Sequence, residues 1–281
     1  MKSRQQVLGQ NFLHHKPTIQ KITDLVVREM TACTRAPKSI LEIGPGGLAL
    51  TLPLVKVAVD KKLPLVLVER DRHLEEDILA DLEDARALNT TLPYELHFMD
   101  AATDKFKELF IDLEKRGLTP VFVASNLPYS ASSQILANLC HLNALISGAV
   151  VMVQKEVAKR MASPENDSDR GSFSLLIQTY FNPTLSFDVG AGAFNPPPKV
   201  TSTVLSLRPL EKPAIHTLEE ALAFEKFCKM LFSQRRKMIR KTIPPECHAH
   251  FAQLKIDGTE RPENLHLDTI LALFHFARAA K

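Results

Sequence analysis

The sequence has few cysteines, and none of them are spaced as pairs. The four are Cys33, Cys140, Cys228 and Cys247. Without a Cys-x-x-Cys motif, the chain offers neither a zinc-finger pattern nor a disulfide framework, and this favours a reducing compartment. His14 and His15 are accompanied by no cysteine or carboxylate cluster, so we predict no metal site.

Long apolar segments are also lacking. The N-terminus is polar and has no apolar signal core, and the longest apolar run, at 144–153, is too short and interrupted to span a membrane. We therefore expect a cytoplasmic protein without membrane contact. No exposed coiled-coil pattern is evident, so we expect a monomer.

Strong net charge is absent, and the remaining composition is typical of a globular protein. The chain has 281 residues, 45% of them hydrophobic and 24% charged, with a formal net charge of +3. This permits an anionic partner without requiring one. The length suits one large domain and one small one. Composition shifts to helical periodicity after Pro209, which predicts domains at 1–209 and 210–281.

A short apolar strand, a glycine-rich turn and a helix follow one another near the start of the first domain. The strand is predicted at 39–43, the turn holds Gly44 and Gly46, and the helix begins at about Thr51. Glycines let a backbone approach a ligand closely, so this order favours a nucleotide-like ligand. A tight turn between a strand and a helix is the alternative.

Two acids stand at the ends of the next two predicted strands. Glu69 follows the apolar run 64–68, at about the spacing from the glycine turn that a ribose-binding acid has. Asp100 follows the strand at 94–99 and could accept an adenine amine. The alternatives are a surface acid at Glu69 and a helix cap at Asp100.

The stretch Asn126-Leu127-Pro128-Tyr129 follows a further apolar run, at 121–124. The Asn126 amide oxygen and the Leu127 carbonyl are two adjacent acceptors, Pro128 fixes the turn, and Tyr129 offers a flat ring. This predicts a pocket for an adenine N6 amine at the carboxyl end of a strand. The alternative is a turn with a buried tyrosine.

A second cluster of aromatic and proline residues begins at Phe194. Prolines at positions 196–198 forbid both a helix and a central strand. They would hold Phe194 on a rigid loop, where it could face a flat substrate. The alternative is that Phe194 packs into the core.

The last domain carries seven basic residues and one acid, Glu225, between positions 225 and 241. The basic residues are Lys226, Lys229, Arg235, Arg236, Lys237, Arg240 and Lys241. On a continuous helix, Arg236 and Arg240 would share a face. We predict that this face holds phosphates, and a solvated charged helix is the alternative.

Taken together, these motifs resemble the ribosomal RNA small-subunit (16S) adenine N6-dimethyltransferase family. The resemblance runs from Gly9 to about Phe274. The matching stretches are 9–13, 42–46, 68–71, 126–129, 154–160, 194–202 and 233–237. It implies an α/β fold: a Rossmann-like class I methyltransferase domain with a small C-terminal all-helical domain.

The resemblance implies S-adenosylmethionine as the cofactor and assigns residues to it. Gln10, Asn11 and Leu13 would close over it. Gly44 and Gly46 would lie against its methionine end, Glu69 would bind its ribose and Asp100 its adenine. The chain has Met99-Asp100-Ala101-Ala102 where the family usually has Gly-Asp-Ala-Leu, and the acid is retained.

The implied reaction is N6,N6-dimethylation of two adjacent adenosines in the 3′-terminal hairpin of 16S rRNA, during ribosome biogenesis. Asn126, Leu127, Pro128, Tyr129 and Phe194 would form the catalytic site. Arg235, Arg236, Lys237 and Arg240 would bind RNA. The alternatives are a large-subunit (23S) adenine methyltransferase of the antibiotic-resistance type and a non-catalytic assembly factor. A nicotinamide oxidoreductase would leave Asn126 to Tyr129 unexplained.

Overall fold

A computed structural model describes residues 11–88, 94–234 and 236–279. Its main feature is a seven-stranded sheet with the strand order β4-β3-β2-β5-β6-β9-β7. A separate two-stranded ladder joins β1 and β8 in antiparallel register. The strands are β1 (Phe12–Leu13), β2 (Ser39–Ile43), β3 (Leu65–Glu69), β4 (Tyr94–Phe98), β5 (Val121–Asn126), β6 (Ile146–Gln154), β7 (Phe181–Val189), β8 (Phe194–Asn195) and β9 (Ser202–Pro209).

The five strands from β2 to β6 run parallel, and β9 is antiparallel to β6. Every residue of β2 and of β3 is buried, as expected for parallel strands covered on both faces. The strand β2 has β3 on one side and β5 on the other, so the strand order reverses there. In open α/β sheets, ligands bind at the carboxyl ends of the strands beside such a reversal.

Nine α-helices lie within the described ranges. They are α1 (Lys16–Thr31), α2 (Thr51–Lys61), α3 (Glu75–Leu88), α4 (Lys105–Lys115), α5 (Ser132–His141), α6 (Lys155–Ala162), α7 (Ser172–Tyr180), α8 (Leu218–Phe232) and α9 (Leu267–Ala279). In α1, Pro17 stands in the first turn, where its missing N–H costs no hydrogen bond. Ile22, Leu25, Val26 and Met30 are buried and form the apolar face of this helix.

The described residues form two compact units. The first holds residues up to Ala158 together with Thr184–Pro209, and the second holds Lys159–Pro183 and the residues from Leu210 onward. This division differs from the predicted boundary, because 159–183 belongs with the C-terminal residues. The cause is helix α7, which packs on α8 and α9.

The second unit has an aromatic core of its own. The Phe274 ring of α9 lies 5.2 Å from that of Phe224 and 5.6 Å from that of Phe227, both on α8. All three side chains are buried. Aromatic pairs at these centroid distances add to the stabilisation from burial alone. Among the described residues after position 209, the regular elements are all helices or 3-10 turns, as predicted for this region.

Two kinds of feature are absent from the part of the chain that the structure describes. None of its helices is long and apolar enough to cross a membrane. No three histidine, cysteine, aspartate or glutamate side chains within it are grouped so that they could hold a metal ion. All four cysteines are free thiols.

Candidate active site

A pocket opens at the carboxyl ends of β2, β3 and β5 in the first unit. It brings together ten residues that the sequence singled out: Asn11, Leu13, Gly44, Gly46, Glu69, Asp100, Asn126, Leu127, Pro128 and Tyr129. They come from five separate segments of the chain, and the parallel sheet brings these segments to one edge. Gln10, also predicted here, lies outside the described residues.

The glycine turn forms the floor where backbone and ligand would meet. Gly44 has φ +72° and Gly46 has φ +51°, a left-handed conformation that favours glycine. A Cβ on Gly46 would lie 3.1 Å from the Phe12 ring. A side chain at this position would therefore be strained and crowded. Phe12 lines the pocket but was not predicted as a site residue, since an aromatic side chain in an N-terminal arm is expected to pack into the core.

Glu69, at the end of β3, is held by backbone donors on one side of the pocket. Its carboxylate accepts hydrogen bonds from the backbone N–H of Arg70 and of Asp71, both at 2.8 Å, and from Gly46 N–H at 3.3 Å. Its side chain is 5% exposed. The carboxylate thus joins the glycine turn to the end of β3 and has a fixed orientation toward the pocket.

The Asp100 carboxylate stabilises a local turn and also lines the pocket. One carboxylate oxygen accepts a hydrogen bond from Ala102 N–H at 2.9 Å, which stabilises the turn that follows β4. The other oxygen lies 3.8 Å from the guanidinium of Arg70. The side chain also lines the pocket, so the turn orients an acceptor toward it.

Glu42 is a pocket residue that the sequence reasoning missed. It stands inside the buried strand β2 and is 1% exposed. Burial, together with the nearby charge of Glu69, raises the pKa of Glu42 to about 8. Its Oε2 has no hydrogen-bond partner among the described residues. The feature of the sequence that could have indicated this residue is a single acid among the apolar residues of a predicted strand.

Asn126, the last residue of β5, presents the other wall of the pocket. Its Oδ1 is buried, and no described residue donates a hydrogen bond to it. The next residue is fixed, because Leu127 N–H donates to Met152 O of β6 at 3.0 Å. Ser125 Oγ donates to Ile43 O at 2.5 Å and ties β5 to β2 just before the glycine turn. A buried acceptor without a partner is costly unless a ligand supplies the donor.

Tyr129 lines the pocket, and its ring is half-buried. Its hydroxyl shares a hydrogen bond with the Ser202 hydroxyl at the start of β9. Burial raises the pKa of Tyr129, an effect that the Ser202 hydrogen bond partly offsets. The hydroxyl is therefore neutral near pH 7.

Phe194 does not line this pocket. It pairs with Leu13 in the ladder of β1 and β8, is 3% exposed and belongs to the hydrophobic core of the first unit. The ladder continues through His14 N–H, which donates to Ala193 O at 3.0 Å. The prediction that Phe194 faces a flat substrate is therefore wrong for this structure. The ladder, which the sequence did not reveal, turns the ring inward.

The predicted basic helix is also corrected. Helix α8 ends at Phe232, and 239–241 forms a separate 3-10 turn in which Arg240 N–H donates to Gly258 O at 3.2 Å. Arg236 and Arg240 therefore do not share one helical face. Arg236, Lys237 and Arg240 are exposed, and Arg235 lies outside the described residues.

The sequence matches one protein family over almost its whole length. The family described as ribosomal RNA adenine dimethylase matches residues 1–279. A relative from Acinetobacter baylyi, named ribosomal RNA small subunit methyltransferase A, is 36% identical and covers 94% of this chain and 89% of its own. A relative of the same name from Aeromonas hydrophila is 33% identical, with 94% and 90% covered.

Two solved structures share the fold. A dimethyladenosine transferase from Plasmodium falciparum has a TM-score of 0.69 at 21% identity, covering 92% of this chain and 96% of its own. The 23S rRNA methyltransferase ErmE has a TM-score of 0.61 at 20% identity, covering 95% and 100%. At these identities the likeness concerns the fold alone, and it confirms the predicted class I methyltransferase architecture.

The family match concerns the reaction as well as the fold. It confirms the predicted enzyme class, a methyltransferase that dimethylates adenine in ribosomal RNA, and the predicted cofactor, S-adenosylmethionine. The pocket has the acceptors and the glycine turn that such an enzyme needs. The chain belongs to the ribosomal RNA adenine dimethylase family.

Proposed function

We propose that this enzyme dimethylates N6 of two adjacent adenosines in the 3′-terminal hairpin of 16S rRNA, within the small ribosomal subunit or its precursor. The observation that carries the proposal is the buried, unpartnered Oδ1 of Asn126, in one pocket with the glycine turn and Glu69. The curated relatives, which are named as small-subunit methyltransferases, support the choice of subunit.

The pocket residues fit the cofactor. Gly44 and Gly46 leave no side chain between the backbone and the methionine end, and a Cβ at Gly46 would already be crowded by Phe12. The Glu69 carboxylate retains lone pairs for ribose hydroxyls after its backbone hydrogen bonds. Asp100 would accept the adenine amine, and Asn11 and Leu13 would cover the ligand. When bound, S-adenosylmethionine supplies a methyl group on a positively charged sulfur.

The chain's own residues make the target amine reactive. An adenine N6 amine is a weak nucleophile because its lone pair is delocalised into the ring. Asn126 Oδ1 and the Leu127 carbonyl would accept hydrogen bonds from the two N–H groups of this amine. These hydrogen bonds would favour a pyramidal nitrogen with a localised lone pair. No strong general base is required, since the amine loses its proton after transfer. Pro128 and the Leu127–Met152 hydrogen bond keep both acceptors in place.

The target base must leave its stack to enter the pocket. Tyr129 would stack on it, an interaction worth roughly 1–3 kcal/mol per base. In the second unit, Arg236, Lys237 and Arg240 are exposed and would contact phosphates, and Arg235 remains a prediction from the sequence. We further propose that the enzyme acts as a monomer in the cytoplasm.

The test is methyl transfer from labelled S-adenosylmethionine to unmodified small and large ribosomal subunits in parallel, with the labelled bases mapped by reverse-transcription stops. We expect label on two adjacent adenosines near the 3′ end of the small-subunit RNA. Label only on the large subunit would instead identify a 23S-type enzyme. Bound cofactor without label on either subunit would favour an assembly factor.

A further inference from the structure

The hydrogen bond between Tyr129 and Ser202 joins residues that are 73 positions apart in the sequence. Tyr129 lines the pocket, whereas Ser202, the first residue of β9, is completely buried and does not line it. Neither the motif around Asn126 nor the match to the family assigns Ser202 a role.

We propose that Ser202 is a positioning residue that fixes the plane of the Tyr129 ring for stacking on the target adenine. This inference rests on the proposed function. Of the two aromatic residues predicted to hold the base, Tyr129 lines the pocket and Phe194 lies in the core. Because Phe194 would not hold the other side of the base, stacking of the base depends more strongly on the orientation of the Tyr129 ring.

The backbone on both sides of Ser202 is fixed. Ser202 pairs with Gln154 and Thr203 with Val153 in the antiparallel ladder of β9 and β6. Just before it, Lys155 N–H donates to Thr201 O at 2.9 Å. The Ser202 hydroxyl therefore sits on a rigid element, which is what a positioning group requires.

Strand β6 also holds the backbone just before Tyr129. Asn126 pairs with Met152 of β6, and Leu127 N–H donates to Met152 O. Asn126 and Ser202 are thus both paired with residues of β6, which fixes their positions relative to each other. Because the backbone is held two residues before Tyr129 and the hydroxyl is hydrogen-bonded to Ser202, the ring is restrained from both sides.

The test compares three variants in methyl transfer to the small subunit. Ser202→Ala removes one partner, Tyr129→Phe removes the other, and the third combines both. We expect each single variant to lower kcat about tenfold without changing S-adenosylmethionine affinity, since small misplacements of a reactant slow transfer. The combined variant should be no worse than either single one, because both remove the same contact.

Ser206→Ala is the matched control. Ser206 is on the same strand, is 3% exposed and pairs with Val150. It should keep wild-type kcat, which separates positioning from general damage to β9. If Ser202→Ala does not fold, Tyr129→Phe, which leaves the buried serine intact, still tests the contact.

A second readout reports the contact itself. The hydrogen bond lowers the pKa of Tyr129, so this pKa should rise in Ser202→Ala when ring-labelled tyrosine is titrated by NMR, with Tyr129→Phe assigning the signal. An unchanged pKa, an additive combined variant or a wild-type kcat in Ser202→Ala would each overturn the inference. A wild-type enzyme that methylates neither subunit would instead overturn the proposed function, and the positioning role with it.

Discussion

The polar groups on the two sides of the pocket differ in how they are hydrogen-bonded by the protein. At the end of β3, Glu69 accepts three backbone hydrogen bonds before any ligand arrives. At the end of β5, the buried Oδ1 of Asn126 accepts none from the described residues. Both groups are acceptors at the ends of the two strands that flank β2, so the difference lies in what the surrounding chain supplies.

This difference suggests a division of labour. A carboxylate already held by backbone N–H groups is preorganised and keeps its place whether or not a ligand is bound, which suits steady cofactor binding. An unpartnered buried acceptor is satisfied only while a donor occupies the pocket, which suits a substrate amine that enters and leaves. Removing Asn126 should therefore affect turnover, and removing Glu69 should affect affinity.

The largest effect is expected from Asn126→Ala. We expect kcat for methyl transfer to fall about 10²–10³-fold, as it does when a group that stabilises a transition state is removed. Affinity for S-adenosylmethionine, measured by calorimetry, should stay within about twofold. The exposed Asn182 provides the control, and Asn182→Ala should behave as wild type. Wild-type turnover in Asn126→Ala would show that Asn126 is not the acceptor for the target amine. The proposed difference between the roles of Asn126 and Glu69 would then be wrong.

Glu69→Ala should produce the complementary result. The loss of a buried carboxylate that would bind ribose hydroxyls is expected to weaken cofactor affinity about 10–100-fold, since hydrogen bonds to charged groups contribute roughly 1.5–3 kcal/mol. At saturating cofactor, kcat should recover in large part. Calorimetry with Glu76→Ala, an exposed acid on α3, is the control. Unchanged affinity would take Glu69 out of the cofactor site.

Much of this arrangement was predictable because parallel strands put successive loops at one edge. The order of apolar runs placed Gly44, Glu69, Asp100 and Asn126 at strand ends, and the sheet brings all four into one pocket. Short-range patterns sufficed there, since each residue is the last of its own strand or lies within two positions of its end.

The failures share a long-range cause. Phe194 is turned inward by pairing with Leu13, 181 positions earlier, and no local pattern reveals such a partner. Helix α8 ends at Phe232 although the charged periodicity continues, and the following segment is hydrogen-bonded to the turn at Gly258 instead. Residues 159–183 join the C-terminal unit through helix packing that the sequence does not display.

Glu42 is a second pocket acid, and its Oε2 has no hydrogen-bond partner among the described residues, unlike the carboxylate oxygens of Glu69. Its raised pKa of about 8, against an ordinary 4.5, means that the folded protein keeps a proton that the unfolded chain releases. This group's stabilising effect is complete below about pH 4.5 and is lost as the pH rises toward 8. Between these values the free energy of unfolding should fall by about 1.4 kcal/mol per pH unit from this group.

Glu42→Gln should remove that slope. Urea unfolding of the cofactor-free protein at pH 6 and pH 7 should show a smaller loss of stability in the variant than in wild type, by about 1 kcal/mol. Glu76→Gln, at an exposed position, should leave the wild-type difference intact. Equal pH dependence in wild type and Glu42→Gln would mean that Glu42 is ionised in the folded protein.

The smallest effect is expected in the second unit, where the contrast is between cations. All three cations are exposed, but Lys229 Nζ is paired with the Glu225 carboxylate at 2.6 Å, whereas Arg236 and Arg240 would contact phosphates. Replacing Arg236 and Arg240 together by alanine should weaken RNA binding a few-fold and lower the slope of log affinity against log salt by about 2. Lys229→Ala should leave that slope unchanged. Equal slopes in both variants would mean that Arg236 and Arg240 are only solvated and make no phosphate contact.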